Sequence, residues 1–167
     1  MPTLMIAKAY VPSIYGWFEL TGTERGLQSV KLQEEMSIPP SYEVPDVLAD
    51  AVQQLAEYFD GRRQEFDLQL DWGDAPEFHR AVWQKLLTIP FGHTTSYKAI
   101  AERLGDPKAV RAVGQANRHN PIAIIVPCHR VIARNGDLQG YFYGLNMKRA
   151  LLAHENPESF AEQGSLF

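Results

Sequence analysis

Apolar residues first come in short runs, Leu4 to Tyr10, Tyr15 to Leu20 and Leu27 to Leu32, with Thr21-Gly22-Thr23-Glu24-Arg25-Gly26 between the last two. Short runs broken by turn formers predict a small antiparallel sheet. The period then changes. After Pro45-Asp46, Leu48, Val52, Leu55 and Phe59 recur at helical spacing up to Asp60-Gly61, which predicts a helix and its stop. Phe66 to Leu70 returns to a strand pattern. Asp71-Trp72-Gly73-Asp74-Ala75 is the expected connection. Asp74 is placed to cap the next helix, with Pro76 in its first turn and Glu77 completing a capping box. That helix carries Phe78, Val82, Trp83, Leu86 and Leu87 as core residues.

The next segment predicts two short helices. Ser96 caps Tyr97 to Leu104, Gly105 ends it, and Asp106-Pro107 caps and starts another through about Asn117. Joined by a tight Gly-containing turn, the pair makes a helix-turn-helix. Its second helix sets the small residues Ala109, Ala112 and Gly114 around Arg111, which permits close backbone approach. Such pairs also occur in cores that bind nothing, so the pattern alone leaves DNA contact open. Asn120-Pro121 ends that helix, and Ile122 to Val126 is a dense apolar run that must be buried. Asn135-Gly136 reads as a turn and Leu145 to His154 as a helix with Leu151 and Leu152 facing inward. From Asn156-Pro157 the tail is expected to be weakly ordered. The fold expected is an α/β N-terminal lobe, a small antiparallel sheet plus helix, over 1–75. A mainly helical, winged-helix-like domain with the helix-turn-helix follows over 76–155, with a tail over 156–167.

Apolar residues make up 45% and charged residues 22% of 167, which are globular values. No run approaches the roughly 18 to 20 apolar residues of a membrane helix, and no export signal is evident. The single cysteine forms no internal disulfide and builds no Cys-rich zinc site, so a reducing, cytoplasmic setting is expected. Net charge is −4, but it is unevenly spread. Residues 1 to 75 hold 5 Lys/Arg against 13 Asp/Glu, whereas 76 to 155 hold 11 against 5. The basic second half suits a polyanion and the acidic first half does not.

Candidate chemistry centres on Cys128. A lone cysteine is most often a small buried hydrophobe, yet here His129 adjoins it, and Arg130 and Arg134 add positive charge. Glu155, near the end of the last helix, is placed to orient the imidazole. A thiol attacks only as thiolate, and neighbouring histidine and cationic groups lower its pKa. Adjacent strand residues point to opposite faces, so a Cys128 to His129 interaction requires a turn, for which Pro127 provides.

Pro127-Cys128-His129-Arg130-Val131, preceded by Asn120-Pro121 and followed by Gly140-Tyr141 and Leu151-Leu152-Ala153-His154-Glu155, resembles the O6-alkylguanine-DNA alkyltransferase family. The resemblance covers about Phe78 to Glu155. It implies that Cys128 accepts the alkyl group, His129 acts as base through a water, and Glu155 holds His129. It further implies that Asn120 supports the active-site turn, Tyr97 helps rotate the nucleotide and donates a proton toward the leaving guanine, and Tyr141 lines the guanine pocket. Arg111 would fill the gap left by the flipped base, with Ala109, Ala112 and Gly114 pressed against the minor groove and Lys108 and Arg118 on phosphates. The implied partner is double-stranded DNA bearing O6-alkylguanine, with O4-alkylthymine left open as a second lesion, bound by a monomer. No cofactor and no structural metal are expected.

Two rivals remain in view. A sensor of alkylated guanine that does not repair it would lack the acceptor cysteine, and Cys128 is present. A cysteine hydrolase built on Cys128, His129 and Glu155 would leave Arg111 without a role. One departure from the family pattern is Tyr141-Phe142-Tyr143-Gly144, where Tyr143 takes the place of a glycine. Tyr143 is therefore expected either to narrow the pocket or to swing out to solvent.

Overall fold

The computed structural model describes residues 5–33, 43–133 and 141–160. Within these, the chain forms two compact units, one of residues 1–74 with 121–125, the other of 75–120 with 126–167. The segment 121–125 therefore packs with the first unit although it lies inside the second in sequence.

In the first unit β1 (Ala7–Ser13), β2 (Gly16–Thr23) and β3 (Gly26–Gln33) form an antiparallel sheet in sequential order. The second strand runs through Thr23 rather than stopping before Thr21, because Thr21 to Thr23 pair with Ser29, Leu27 and Gly26 around a bulge. Alternation buries Ala9, Val11, Phe18, Leu20, Leu27 and Val30, and a helix covers these side chains. Asp46–Leu48 is a 3₁₀ turn leading into α1 (Ala49–Phe59), and Gly61 follows at φ 76°. Leu48, Ala51, Leu55 and Tyr58 form its buried face, while Val52 and Phe59 are only half-buried.

The strand expected over Phe66 to Leu70 is absent, whereas the apolar run Ile122 to Val126 is buried as expected. Phe66 to Leu70 makes only a bridge between Leu70 and Leu27, since just Gln69 O and Asp71 N bond to that neighbour. Ile122 to Val126 is fully buried but is not extended. Ile124 has φ 72° with Ile125 N–H bonded to Ala123 O, and Cys128 N–H bonds Val126 O across Pro127 at φ −83°, ψ 65°. These are two successive γ-turns, the first rare and strained for a β-branched residue.

The second unit is helical. α2 (Glu77–Leu86) starts after Pro76, and Asp74 forms no cap. The expected capping box is absent: the N-cap position is occupied by proline, whose side chain cannot accept a hydrogen bond. Val82, Trp83 and Leu86 are buried, whereas Phe78 and Leu87 stay 37% and 45% exposed. α3 (Tyr97–Arg103) is capped by Ser96, whose Oγ accepts from Ala99 N at 3.0 Å, and Gly105 at φ 82° turns the chain. α4 (Val110–Arg118) begins later than Asp106-Pro107 suggested. Asp106 accepts from Lys108 N, which closes a turn instead of capping a helix, so Lys108 and Ala109 precede α4. β4 (Thr95–Ser96) and β5 (Val131–Ile132) pair in parallel. α5 (Leu145–Glu155) buries Met147, Lys148, Leu151, Leu152 and Glu155. A short α6 (Pro157–Phe160) stands where a weakly ordered tail was expected.

Candidate active site

Cys128 opens a 3₁₀ turn, Cys128–Arg130, entered through Pro127. The β4–β5 pairing sets the end of this turn beside the start of α3, and so beside Tyr97. Asn120 Nδ2 donates to Cys128 Sγ at 3.2 Å and to Val126 O at 2.8 Å. The turn sends its next two side chains elsewhere. His129 Nε2 lies 2.6 Å from Glu155 Oε2. Arg130 grips the same carboxylate through Nε at 2.7 Å and Nη2 at 3.1 Å, and donates Nη1 to Ile89 O.

This trio decides the histidine tautomer. Burial resists the charge on Glu155, but the contacts with His129 and Arg130 outweigh it and hold the carboxyl well below the usual carboxylate range. An ionised carboxylate only accepts, so His129 donates Nε2–H and keeps its lone pair on Nδ1. Burial also pushes the imidazole below its ordinary value, against the pull of Glu155. His129 is therefore neutral. Nδ1 is buried with no hydrogen-bond partner among the described residues.

Among the described residues, the positive charge that favours the thiolate comes from one that local sequence reasoning overlooked. Arg130 is committed to Glu155, and Arg134 lies outside the described residues. Lys148, fully buried on α5, stands 5.8 Å from the Tyr97 ring centroid. Burial pulls it down to about 8 while Cys128 pulls it up. Burial pushes the Cys128 thiol up, opposed by Asn120, by Lys148 and by the backbone N–H groups of Cys128 and His129. The expectation of a thiol lowered outright by histidine and arginine neighbours is thus corrected. The signal for Lys148 was available, because at i, i+3 and i+7 it shares the inward face of α5 with Leu151 and Glu155. Asn117 was also overlooked; it is buried and donates Nδ2 to Cys128 O at 3.3 Å.

Tyr97 is half-buried, and its phenol is pushed up to about 12 by burial and then by Cys128, so it holds its proton at neutral pH. Tyr141 is buried, its hydroxyl lacks a partner among the described residues, and burial followed by the charge of Cys128 raises it well above its ordinary value. Tyr143 does not swing away: its ring centroid lies 5.8 Å from that of Tyr141 and 5.0 Å from that of Phe142.

Away from the thiol, α4 turns Val113, Ala116 and Asn117 inward and leaves Arg111, Ala112 and Arg118 exposed, with Lys108 exposed just before it. Gly114 faces Tyr97, whose Cδ1 would lie 4.0 Å from an added Cβ. Among the described residues no group of three or more His, Cys, Asp or Glu could hold a metal ion, and no helix is long and apolar enough to cross a membrane.

Two family models match consecutive parts of the chain. The ribonuclease-like domain of 6-O-methylguanine DNA methyltransferase matches residues 6–72, and the DNA-binding domain of the same family matches 77–157. The chain belongs to the 6-O-methylguanine DNA methyltransferase family. Among members of this methyltransferase family, the methylated-DNA–protein-cysteine methyltransferase of Mycolicibacterium paratuberculosis is 47% identical over 158 residues, 93% of this chain and 95% of that one. The protein of that name from Methanosarcina acetivorans is 46% identical over 140 residues, 81% and 89% of the two chains. The crystal structure of the Mycobacterium tuberculosis O6-methylguanine methyltransferase matches with TM-score 0.79 at 44% identity, covering 96% of this chain and 98% of that one. The M. tuberculosis protein in complex with DNA matches with TM-score 0.77 at 47% identity, covering 89% and 92%.

Proposed function

We infer that this methyltransferase repairs alkylated DNA by moving the alkyl group from O6 of guanine onto Sγ of Cys128, once per protein molecule. The observation that carries this is the setting of the thiol. Sγ is held by Asn120, near a buried lysine and beside a neutral histidine whose Nδ1 is unpartnered among the described residues. Double-stranded DNA bearing O6-alkylguanine is the partner, and a cytoplasmic location accords with repair.

The lesion lies inside the base stack, so the nucleotide must be extruded before any thiol can reach it. Arg111, exposed on α4, enters the duplex and occupies the gap, and an inserted side chain offsets the few kcal/mol that flipping costs. Ala109, Ala112 and Gly114 let the helix approach the minor groove, and Lys108 and Arg118 meet phosphates. Tyr141 lines the wall of the guanine pocket.

His129 Nδ1 takes the thiol proton through a water, while Glu155 fixes the ring and Arg130 fixes Glu155. Lys148 stabilises the resulting thiolate, as a nearby cation does. The thiolate attacks the alkyl carbon in line. The S–C bond forms, the C–O6 bond breaks, and its electron pair passes into the guanine ring, which takes a proton from Tyr97. The thioether is too inert for water to cleave, so turnover stops after one event.

Incubation with duplex DNA carrying radiolabelled O6-methylguanine, followed by counting label on the protein, tests this. One label per molecule is expected for the parent and none for Cys128→Ser, which keeps the shape but is a far weaker nucleophile. Stoichiometric transfer by the serine variant would overturn the assignment. Release of many product equivalents would indicate a hydrolase instead.

A further inference from the structure

Asn117 is an expensive residue where it stands. It is 1% exposed, and its Oδ1 has no hydrogen-bond partner among the described residues. A buried amide oxygen without a partner is destabilising, and an apolar side chain of the same size would avoid that loss. The compensating contact is its Nδ2, which donates to the carbonyl oxygen of Cys128 at 3.3 Å. The opposite amide orientation would set two acceptors face to face, so the assignment of N and O is fixed by this contact.

That carbonyl belongs to the peptide joining Cys128 to His129. Its oxygen also accepts from Val131 N–H, at the end of the 3₁₀ turn. The other end of the same peptide is the His129 N–H, one of the backbone donors that favour the ionised form of Cys128. A donor on an amide oxygen both fixes the peptide plane and polarises its N–H. The position of Asn117 is itself braced. Trp83 Nε1 donates to Ala116 O at 2.8 Å, tying the last turn of α4 to α2.

We propose that Asn117 is a positioning residue for the nucleophile, holding the Cys128–His129 peptide so that its N–H faces Sγ. Asn117 and Asn120 then divide the work at helical spacing. Asn120 donates to the sulfur directly, and Asn117 acts on it through a peptide bond. The inference rests on Cys128 being the alkyl acceptor, but the titration of its thiol, which decides it, needs no DNA.

Because the chain has a single cysteine, the rate of alkylation of the whole protein by iodoacetamide, read by mass from about pH 6 to 10, reports only on Cys128. Asn117→Leu should raise the apparent thiol pKa by roughly half to one unit, since one hydrogen bond to the charged form is weakened. Methyl transfer at neutral pH should slow about three- to tenfold in step, with affinity for lesion-bearing duplex unchanged. Asn117→Asp, which faces the carbonyl with a second acceptor, should shift the thiol at least as far. Should Asn117→Leu fail to fold, Asn117→Ser, smaller and still polar, carries the same reading. A parent-like thiol pKa in any of these folded variants overturns the inference. Failure of the acceptor assignment would instead appear as transfer surviving Cys128→Ser.

Discussion

Glu155 Oε2 and His129 Nε2 lie 2.6 Å apart with both side chains fully buried, and Arg130 binds the same carboxylate from the other side. One carboxylate therefore carries two duties. It sets the tautomer of His129, and it is the counter-charge of a buried guanidinium.

Glu155→Gln should affect activity and stability together. Losing a defined general base slows transfer about 100-fold or more. The carboxyl is held below its ordinary value of 4.5, so its stabilising contribution is complete above that pH and is lost as pH falls through the depressed value. At neutral pH the variant should lose about 3 to 5 kcal/mol, because Arg130 is left buried without its counter-charge. Urea unfolding at neutral and acid pH measures both, with a shallower acid-side decline expected for the variant. A parent-like transfer rate from about pH 6 to 9 would remove the pair from proton transfer.

Lys148→Met should trade activity for stability. Burial lowers the lysine from 10.5 to about 8, so the folded protein disfavours the bound proton relative to the unfolded chain. The penalty is complete below pH 8 and is relieved as pH rises from there toward 10.5, where the unfolded chain binds more protons. The methionine variant should thus be more stable at neutral pH, by about 1 to 3 kcal/mol, with the gain shrinking at alkaline pH. Transfer should be slower throughout. A variant with parent-like transfer at neutral pH would show that the ammonium does not support the thiolate.

Arg111→Ala should impair extrusion rather than chemistry, with a large loss on duplex substrate and a small one on free modified guanine. Equal losses on both would remove Arg111 from that role. Lys108→Ala or Arg118→Ala should weaken binding to any DNA, and each should reduce the slope of log affinity against log salt by about 1.

Tyr143 packs edge-on against Tyr141, and on the proposed function the two rings together bound the alkyl pocket. Methyl groups should transfer efficiently and benzyl groups poorly. Tyr143→Gly should raise the benzyl-to-methyl rate ratio about tenfold, as removal of a ring from a pocket mouth allows. An unchanged ratio with O6-benzylguanine and O6-methylguanine would show that another residue sets the size limit.

Much of this protein was legible in its residues. Ser96 and Gly105 bound α3 as their chemistry predicts, because caps and left-handed turns are decided within a few residues. The apolar spacing around Leu55, Trp83 and Leu151 located three helices for the same local reason. Where local rules compete with packing, they failed. Asp74 makes no cap, and Phe66 to Leu70 finds only one bridge.

The motif around Cys128 named the proposed nucleophile and its chain neighbours, since adjacency along the chain is itself sequence information. Their pairing was decided elsewhere. That Arg130 serves Glu155 and not the thiol, that Lys148 supplies the charge, and that Asn117 reaches the Cys128 carbonyl all depend on which side chains the fold buries together. Protonation follows from that burial, because the cost of desolvating a charge and the reach of a partner are properties of a three-dimensional neighbourhood. Spacing along the chain constrains them only when both groups ride on one helix face, as Lys148 and Glu155 do.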